Sequence, residues 1–225
     1  MLDKNPKQYV AQRLGEDITV DANWDKSIWA DMPTGKLGFF MGKKPTHFPD
    51  TKFKTAYDDK CVYVIFKVED QYIRAVSKGY QAPVCLDSCV EFFFTPCEDI
   101  STGYFNLETN CGGTILMCHQ IAKGGDSKPL TDQELDNIEI ATSLPNLITN
   151  EIIEPKSWTL EYKLPMSILG KYTNIDKPAS GVKWRANFYK CGDNTSHPHW
   201  LTWSFVDKPI PDFHRPDFFG TLVFG

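Results

Sequence analysis

Period-two alternation, repeated in segment after segment, is the strongest restriction this chain places on its fold. Trp184, Ala186 and Phe188 alternate with Arg185, Asn187 and Tyr189. Val62, Val64, Phe66 and Val68 alternate with Tyr63, Ile65, Lys67 and Glu69, and Trp158, Leu160, Tyr162 and Leu164 with Thr159, Glu161 and Lys163. In residues 88–95, Val90, Phe92 and Phe94 share one side, Glu91 and Phe93 the other. In residues 104–110, Phe105, Leu107 and Thr109 oppose Tyr104, Asn106, Glu108 and Asn110. Successive side chains on a strand point to opposite faces, so each segment is a strand with one apolar face.

Turn chemistry joins these strands. Asp58-Asp59-Lys60 closes a hairpin between residues 53–57 and 62–69, and Gly112-Gly113 closes a second, leading into 114–120. Residues 9–14, 18–20, 138–143 and 219–224 give further short strands. Helix is sparse. A short helix within 21–29 would set Trp24 and Ile28, and less neatly Trp29, on one side as a plug on the sandwich. A weak helical piece lies around 131–137, and Pro165 begins a short helix over 166–171, where its missing N–H costs nothing. Residues 33–49 are irregular and 70–87 form a long connection. Many short strands with little helix make an all-β sandwich of two antiparallel sheets with one or two short helices, a single domain over 1–225.

The polar faces point to function. Glu91, the group Asn106, Glu108 and Asn110, and the group Arg185, Asn187 and Tyr189 would meet if their strands are neighbours. Planar amides, carboxylates and a guanidinium make paired, directional hydrogen bonds to adjacent hydroxyls, as a sugar presents. A cross-strand network between Arg185 and a glutamate would account for the same residues without a ligand. A pyranose also needs an aromatic platform. Trp200, Trp203, Phe213 and Tyr189 are candidates, and Trp200 and Trp203 differ in strand parity, so at most one shares its neighbours' core face.

Other chemistries are less supported. His197 and His199, two apart, would bind zinc only with a third ligand such as Cys191, Asp193 or His214. Seven cysteines without a CxxC pair make a poor disulfide framework and fit a reduced protein with thiols as small hydrophobes. No GxSxG occurs. Glu91 and Glu108 could form a glycosidase-like carboxylate pair. A net charge of -5 argues against a nucleic-acid footprint, and no apolar run is long enough to span a bilayer. The first residues lack an apolar signal segment, so a cytoplasmic location is expected unless a leader was omitted.

The segments FKTAYDDKCVYVIFKVED, DSCVEFFF, YFNLETNCGG, WTLEYKLP, WRANFYKCGD and HRPDFFGTLVF together resemble the family 9 carbohydrate-binding modules. The resemblance implies an immunoglobulin-like or jelly-roll-type β-sandwich that binds mono- and oligosaccharides at the chain ends of plant polysaccharides such as xylan and cellulose. It also implies a role beside glycoside hydrolases in polysaccharide breakdown. By resemblance the acidic sugar contact falls on Glu91 and polar contacts on Asn106 and Glu108. The family's two stacking tryptophans fall near Val84 and Phe213. Arg185, Asn187, Tyr189, His199, Trp200 and His214 complete the expected binding set. Several relatives bind structural calcium, for which Asp70 is the candidate here. The alternative is a hydrolase acting on glycosidic bonds through Glu91 and Glu108.

Overall fold

The computed structural model describes residues 4–123 and 125–225. Its strands, in chain order, are β1 (Gln8–Arg13), β2 (Gly35–Lys36), β3 (Phe39–Phe40), β4 (Asp50–Tyr57), β5 (Cys61–Asp70), β6 (Ile73–Ala75), β7 (Cys89–Thr95) and β8 (Tyr104–Asn110). They continue as β9 (Ile115–Gln120), β10 (Lys128–Pro129), β11 (Glu139–Thr142), β12 (Ile148–Ile152), β13 (Lys156–Pro165), β14 (Lys183–Cys191), β15 (Trp200–Thr202) and β16 (Gly220–Phe224). Three single-turn helices are described: α1 (Ser27–Ala30), α2 (Asp132–Leu135) and α3 (Met166–Leu169). None is long and apolar enough to cross a membrane.

The all-β expectation holds, with few helices and a curled, mostly antiparallel sheet. Hydrogen bonding runs continuously through β10-β9-β8-β7-β14-β16-β1-β4-β5-β13-β11, with only β6 and β12 as a small second sheet. The joint is β1. It starts parallel to β16, Gln8 opposite Thr221, and ends parallel to β4, Arg13 opposite Tyr57. The two parallel pairings were invisible to alternation, which reports faces and not neighbours. The long sheet curls so that its halves face each other. Phe53 of β4 stacks on Phe188 of β14 with ring centroids 3.6 Å apart, and Trp203 meets both rings edge-on. Burying these rings is worth roughly 1.5–3 kcal/mol each.

Register fixes which side chains share the outer face of the β9-β8-β7-β14 half. Cys191, Cys89 and Asn110 form one cross-strand row. Tyr189, Glu91, Glu108 and Leu116 form the next, and Asn187, Phe93, Asn106 and Cys118 the third. The three polar strands expected to be neighbours are therefore neighbours. Gly113, at φ +91°, makes the β8–β9 turn that holds this register.

The N-terminal plug also forms, by a different residue. Trp29 is the buried side chain, while Trp24 and Ile28 are half-buried beside it. Buried Glu161 holds it, accepting from Asp21 N at 2.9 Å, Ala22 N at 2.8 Å and Trp29 Nε1 at 2.9 Å. Residues 18–20, expected as a strand, run without pairing along this plug. The connection 70–87 contains β6, and α2 carries a capping box from Thr131 and Glu134.

Alternation on β14 also turns Lys190 inward. Its ammonium lies in the core, 3.5 Å from Asp70 Oδ2, donating to His199 Nε2 at 2.8 Å and Cys191 O at 2.9 Å. Asp70 accepts further from His47 Nε2 at 2.7 Å, Gln71 N at 2.8 Å and Trp158 Nε1 at 3.2 Å. Burial alone would raise the Asp70 carboxyl, but Lys190 and His47 outweigh it and hold the group well below the usual carboxylate range. The surroundings do not fit the expected calcium. Calcium takes six to eight oxygen ligands, and Asp70 is ringed by nitrogen donors with Lys190 already supplying the positive charge.

Removing one partner should leave the other charge stranded. Lys190→Met is expected to lower stability by about 3–5 kcal/mol, read by urea unfolding at pH 7, and the double variant Asp70→Asn/Lys190→Met should recover part of that loss.

Candidate functional site

On the outer face of β7, β8 and β14 lies a cleft of about 190 Å³. Its floor is strand: Glu91 and Phe93 from β7, Glu108 from β8 and Cys191 from β14. Its walls are loop. Cys85 comes from the segment before β7, Asp193 from the turn after β14, Trp200 from the start of β15, and Pro211 to His214 from the segment leading to β16. Lys123 stands at the rim, paired with Asp212 at 2.8 Å.

Among the described residues no cation forms an ion pair with Glu91 or Glu108, and Lys123 at the rim is paired with Asp212. Glu91 and Glu108 face each other across adjacent strands, and both are almost fully buried. Burial and the neighbouring Glu108 push Glu91 well above the usual range. Burial pushes Glu108 up to about 7, against the opposing hydrogen bond from Asn106. At neutral pH the pair therefore keeps at least one proton and can donate as well as accept. Cys191 Sγ donates to Glu91 Oε1 at 3.1 Å. Asp193 is raised by burial too, and its Oδ1 is buried without a hydrogen-bond partner.

A relay sits behind Glu108. Asn106 Nδ2 donates to Glu108 Oε1 at 2.9 Å, and Gln120 Nε2 donates to Asn106 Oδ1 at 3.0 Å. Gln120 Nε2 also reaches His214 Nδ1 at 3.1 Å, and Tyr104 Oη lies 2.9 Å from the same nitrogen. Burial lowers His214 to about 4, with Lys123 adding to the effect, so the ring is neutral. Donors on Nδ1 require the proton to be on Nε2, which becomes the ring's one donor.

The apolar wall is Phe213. It stacks on Tyr189 at 4.1 Å and 10°, and Tyr189 Oη donates to Phe213 O at 3.2 Å. Tyr189 is thus the support beneath the platform. Trp200 is half-buried on the opposite wall, while Trp203 fills the core, as strand parity required.

Of the ten residues expected to bind sugar, the cleft gathers Glu91, Glu108, Trp200, Phe213 and His214. The other five lie behind or beside it. Asn106 is spent on Glu108 and Gln120. Asn187 is buried and pins the following segment, accepting from Ser204 N at 2.8 Å and donating to Ser204 O at 3.1 Å. Arg185 shares the face, but its guanidinium donates to the carbonyls of Gly220, at 3.1 Å, and Phe219, at the start of β16. It makes no pair with a glutamate. Tyr189 supports Phe213. His199 faces Lys190 and is lowered to about 3 by burial and by that ammonium. The His-x-His zinc arrangement does not form either: His197 stacks on Tyr72 at 3.6 Å, away from the buried His199. Lys123, Pro211 and Asp212 were not singled out by sequence, and Cys85 stood out only as one of seven thiols. They reach the cleft from loops, where no periodicity marks a face.

A curled β-sheet with an outward cleft, carboxyl groups on its floor and aromatic rings on its walls has the make-up of a carbohydrate-binding module. Comparison with known proteins agrees. The profile of carbohydrate-binding family 9 matches residues 30–224, and the chain belongs to that family. A "putative carbohydrate-binding protein" from Bacteroides uniformis superposes with a TM-score of 0.88 at 28% identity, covering 98% of this chain and 100% of that one. A family 9 module from Caldicellulosiruptor kristjanssonii in complex with cellotriose gives 0.65 at 14% identity, covering 97% and 93%. The same kind of module in complex with glucose gives 0.63 at 14%, covering 97% and 96%. No curated protein matches the chain.

The raised Glu108 sets a sign for pH. Its folded value, about 7, lies above that of an unfolded glutamate, so folding binds a proton. Stability from the protonated form is full below about pH 4 and is lost as pH rises toward 7. Glu108→Gln should flatten this slope and gain up to about 3 kcal/mol relative to wild type at pH 8, measured by denaturant unfolding at pH 5 and pH 8.

Proposed function

We propose that this cleft is where the module holds its sugar, as a single ring or the end of a chain, without cleaving it. The observation that carries the reading is the convergence of two carboxyl groups and two aromatic rings, from four separate segments, on one small cleft. Its volume of about 190 Å³ is below the roughly 300–1,000 Å³ of sites for larger ligands, which suits a terminal ring. Phe213 and Trp200 supply apolar faces for the sugar C–H groups. Glu91, Glu108 and the Nε2–H of His214 supply hydrogen bonds, with Asn106 positioning Glu108 and Tyr189 supporting Phe213.

The curled sheet serves as a sandwich of two layers, in keeping with the immunoglobulin-like or jelly-roll type. The ligand class favoured is a β-linked gluco-oligosaccharide, supported by the cellotriose and glucose complexes of the Caldicellulosiruptor kristjanssonii modules. Work beside glycoside hydrolases in polysaccharide breakdown follows from the same reading. Glu91 and Glu108 stand side by side on one floor, not on opposite flanks of a groove, which favours holding a sugar over cleaving a bond.

A glycan array followed by calorimetry tests this. Specific binding of glucose-based or xylose-based ends is expected. Phe213→Ala should weaken it about three- to tenfold, and Glu91→Ala or Asn106→Ala about tenfold or more. Unchanged affinity in Glu91→Ala and Asn106→Ala would overturn the placement. Turnover of aryl glycosides, abolished by Glu108→Gln, would replace binding with hydrolysis.

A further inference from the structure

Sugar recognition does not call for the two thiols beneath the cleft. Cys89 and Cys191 stand directly opposite each other on β7 and β14, one row from the Glu91–Glu108 pair. One ligand atom each of Cys89, Glu91 and Cys191 lies within 4.8 Å of the others, and all three residues are buried. Among the described residues no other group of His, Cys, Asp and Glu is so placed. Cys89 Sγ finds only a weak acceptor, Val90 O at 3.7 Å, while Cys191 Sγ donates to Glu91 Oε1 at 3.1 Å, so two of the three donor atoms already converge.

We propose that Cys89, Cys191 and Glu91 form a binding site for a thiophilic divalent cation of the zinc class, with its fourth position open to the cleft. The donor set is two sulfurs and one carboxylate oxygen, which suits zinc or cobalt(II) and not calcium or magnesium. Tetrahedral zinc with bonds of about 2.3 Å to sulfur needs the two sulfurs roughly 3.8 Å apart. The two sulfurs lie no more than 4.8 Å apart, within a side-chain adjustment of that. Access is provided as well. Glu91 and Cys191 line the cleft floor, so an ion enters from solvent through the cleft and meets Cys89 behind them.

An independent feature marks the same place as short of positive charge. Asp193, on the wall beside Cys191, has a buried Oδ1 with no hydrogen-bond partner. A divalent ion at the floor would supply the missing charge to Asp193 and Glu108 without moving either strand. Zinc binding displaces the protons of both thiols, and any proton on Glu91, to solvent. The ion keeps one coordination position for water or for a ligand hydroxyl.

The test is titration of the reduced, metal-free protein with cobalt(II) and then zinc. One equivalent should bind, and the cobalt form should show the near-ultraviolet sulfur-to-cobalt charge-transfer band of thiolate ligation. This reading needs no variant. Cys89→Ser/Cys191→Ser should then lose more than about a hundredfold in zinc affinity, since even supporting residues of metal sites cost 10–100-fold, while Cys97→Ser keeps it. A cobalt complex without that band, no stoichiometric binding, or equal affinity in the double serine variant would overturn the proposal. Sugar affinity plays no part in these readouts, so the metal site and the sugar site stand or fall separately.

Discussion

A buried ammonium organises this molecule. Lys190 belongs to the strand that carries Tyr189 and Cys191 toward the cleft, and period two leaves it no choice but the core. An unpaired ammonium there would cost many kcal/mol, so the surroundings are built to receive it. Asp70 arrives from the end of β5 in the opposite half of the curled sheet, and His199 arrives neutral from the turn that follows β14. One cation thus joins the two halves and folds residues 192–199 back against the sheet. That folded turn places Asp193 and leads into Trp200, so the cleft wall is set from inside the core.

The cleft itself combines a rigid floor with walls borrowed from elsewhere. Cross-strand register decides that Glu91 lies opposite Glu108 and Cys89 opposite Cys191, and a slip of one residue would turn every side chain of the strand to the other face. Uncompensated carboxyls are costly to bury, and here they hold protons as a result. Their reward is versatility toward hydroxyl groups, which present both a donor and acceptors. The apparatus that aims Glu108, from His214 through Gln120 to Asn106, is amide and imidazole throughout and carries no net charge.

Alternation made the strands and their faces legible before any coordinates. It placed Val90, Phe92, Phe94, Phe105 and Leu107 inside and Glu91, Asn106 and Glu108 outside, and it separated Trp200 from Trp203. It did not reveal depth. Asn187 and Arg185 have the chemistry of ligand contacts, yet one holds Ser204 and the other caps carbonyls at the start of β16. A side chain's face follows from parity, but whether that face is open depends on loops that arrive from distant sequence. The same limit hid Lys123, Pro211 and Asp212. The continuous sheet was hidden for another reason, because β1 changes partners midway and a strand pattern does not name its partners.

Phe213 meets the sheet through the rings of Tyr189 and Phe93 and through the bond from Tyr189 Oη to its carbonyl. The platform is therefore carried by a loop and seated on the sheet's own rings. The ring at position 213 can be exchanged without changing the register of the strands that carry Glu91 and Glu108, whereas His214 beside it is tied to Gln120 and Tyr104. A scaffold of this kind can change the ring it offers to a ligand at small cost to folding, because the platform is borne by a loop and the carboxyl groups by the sheet.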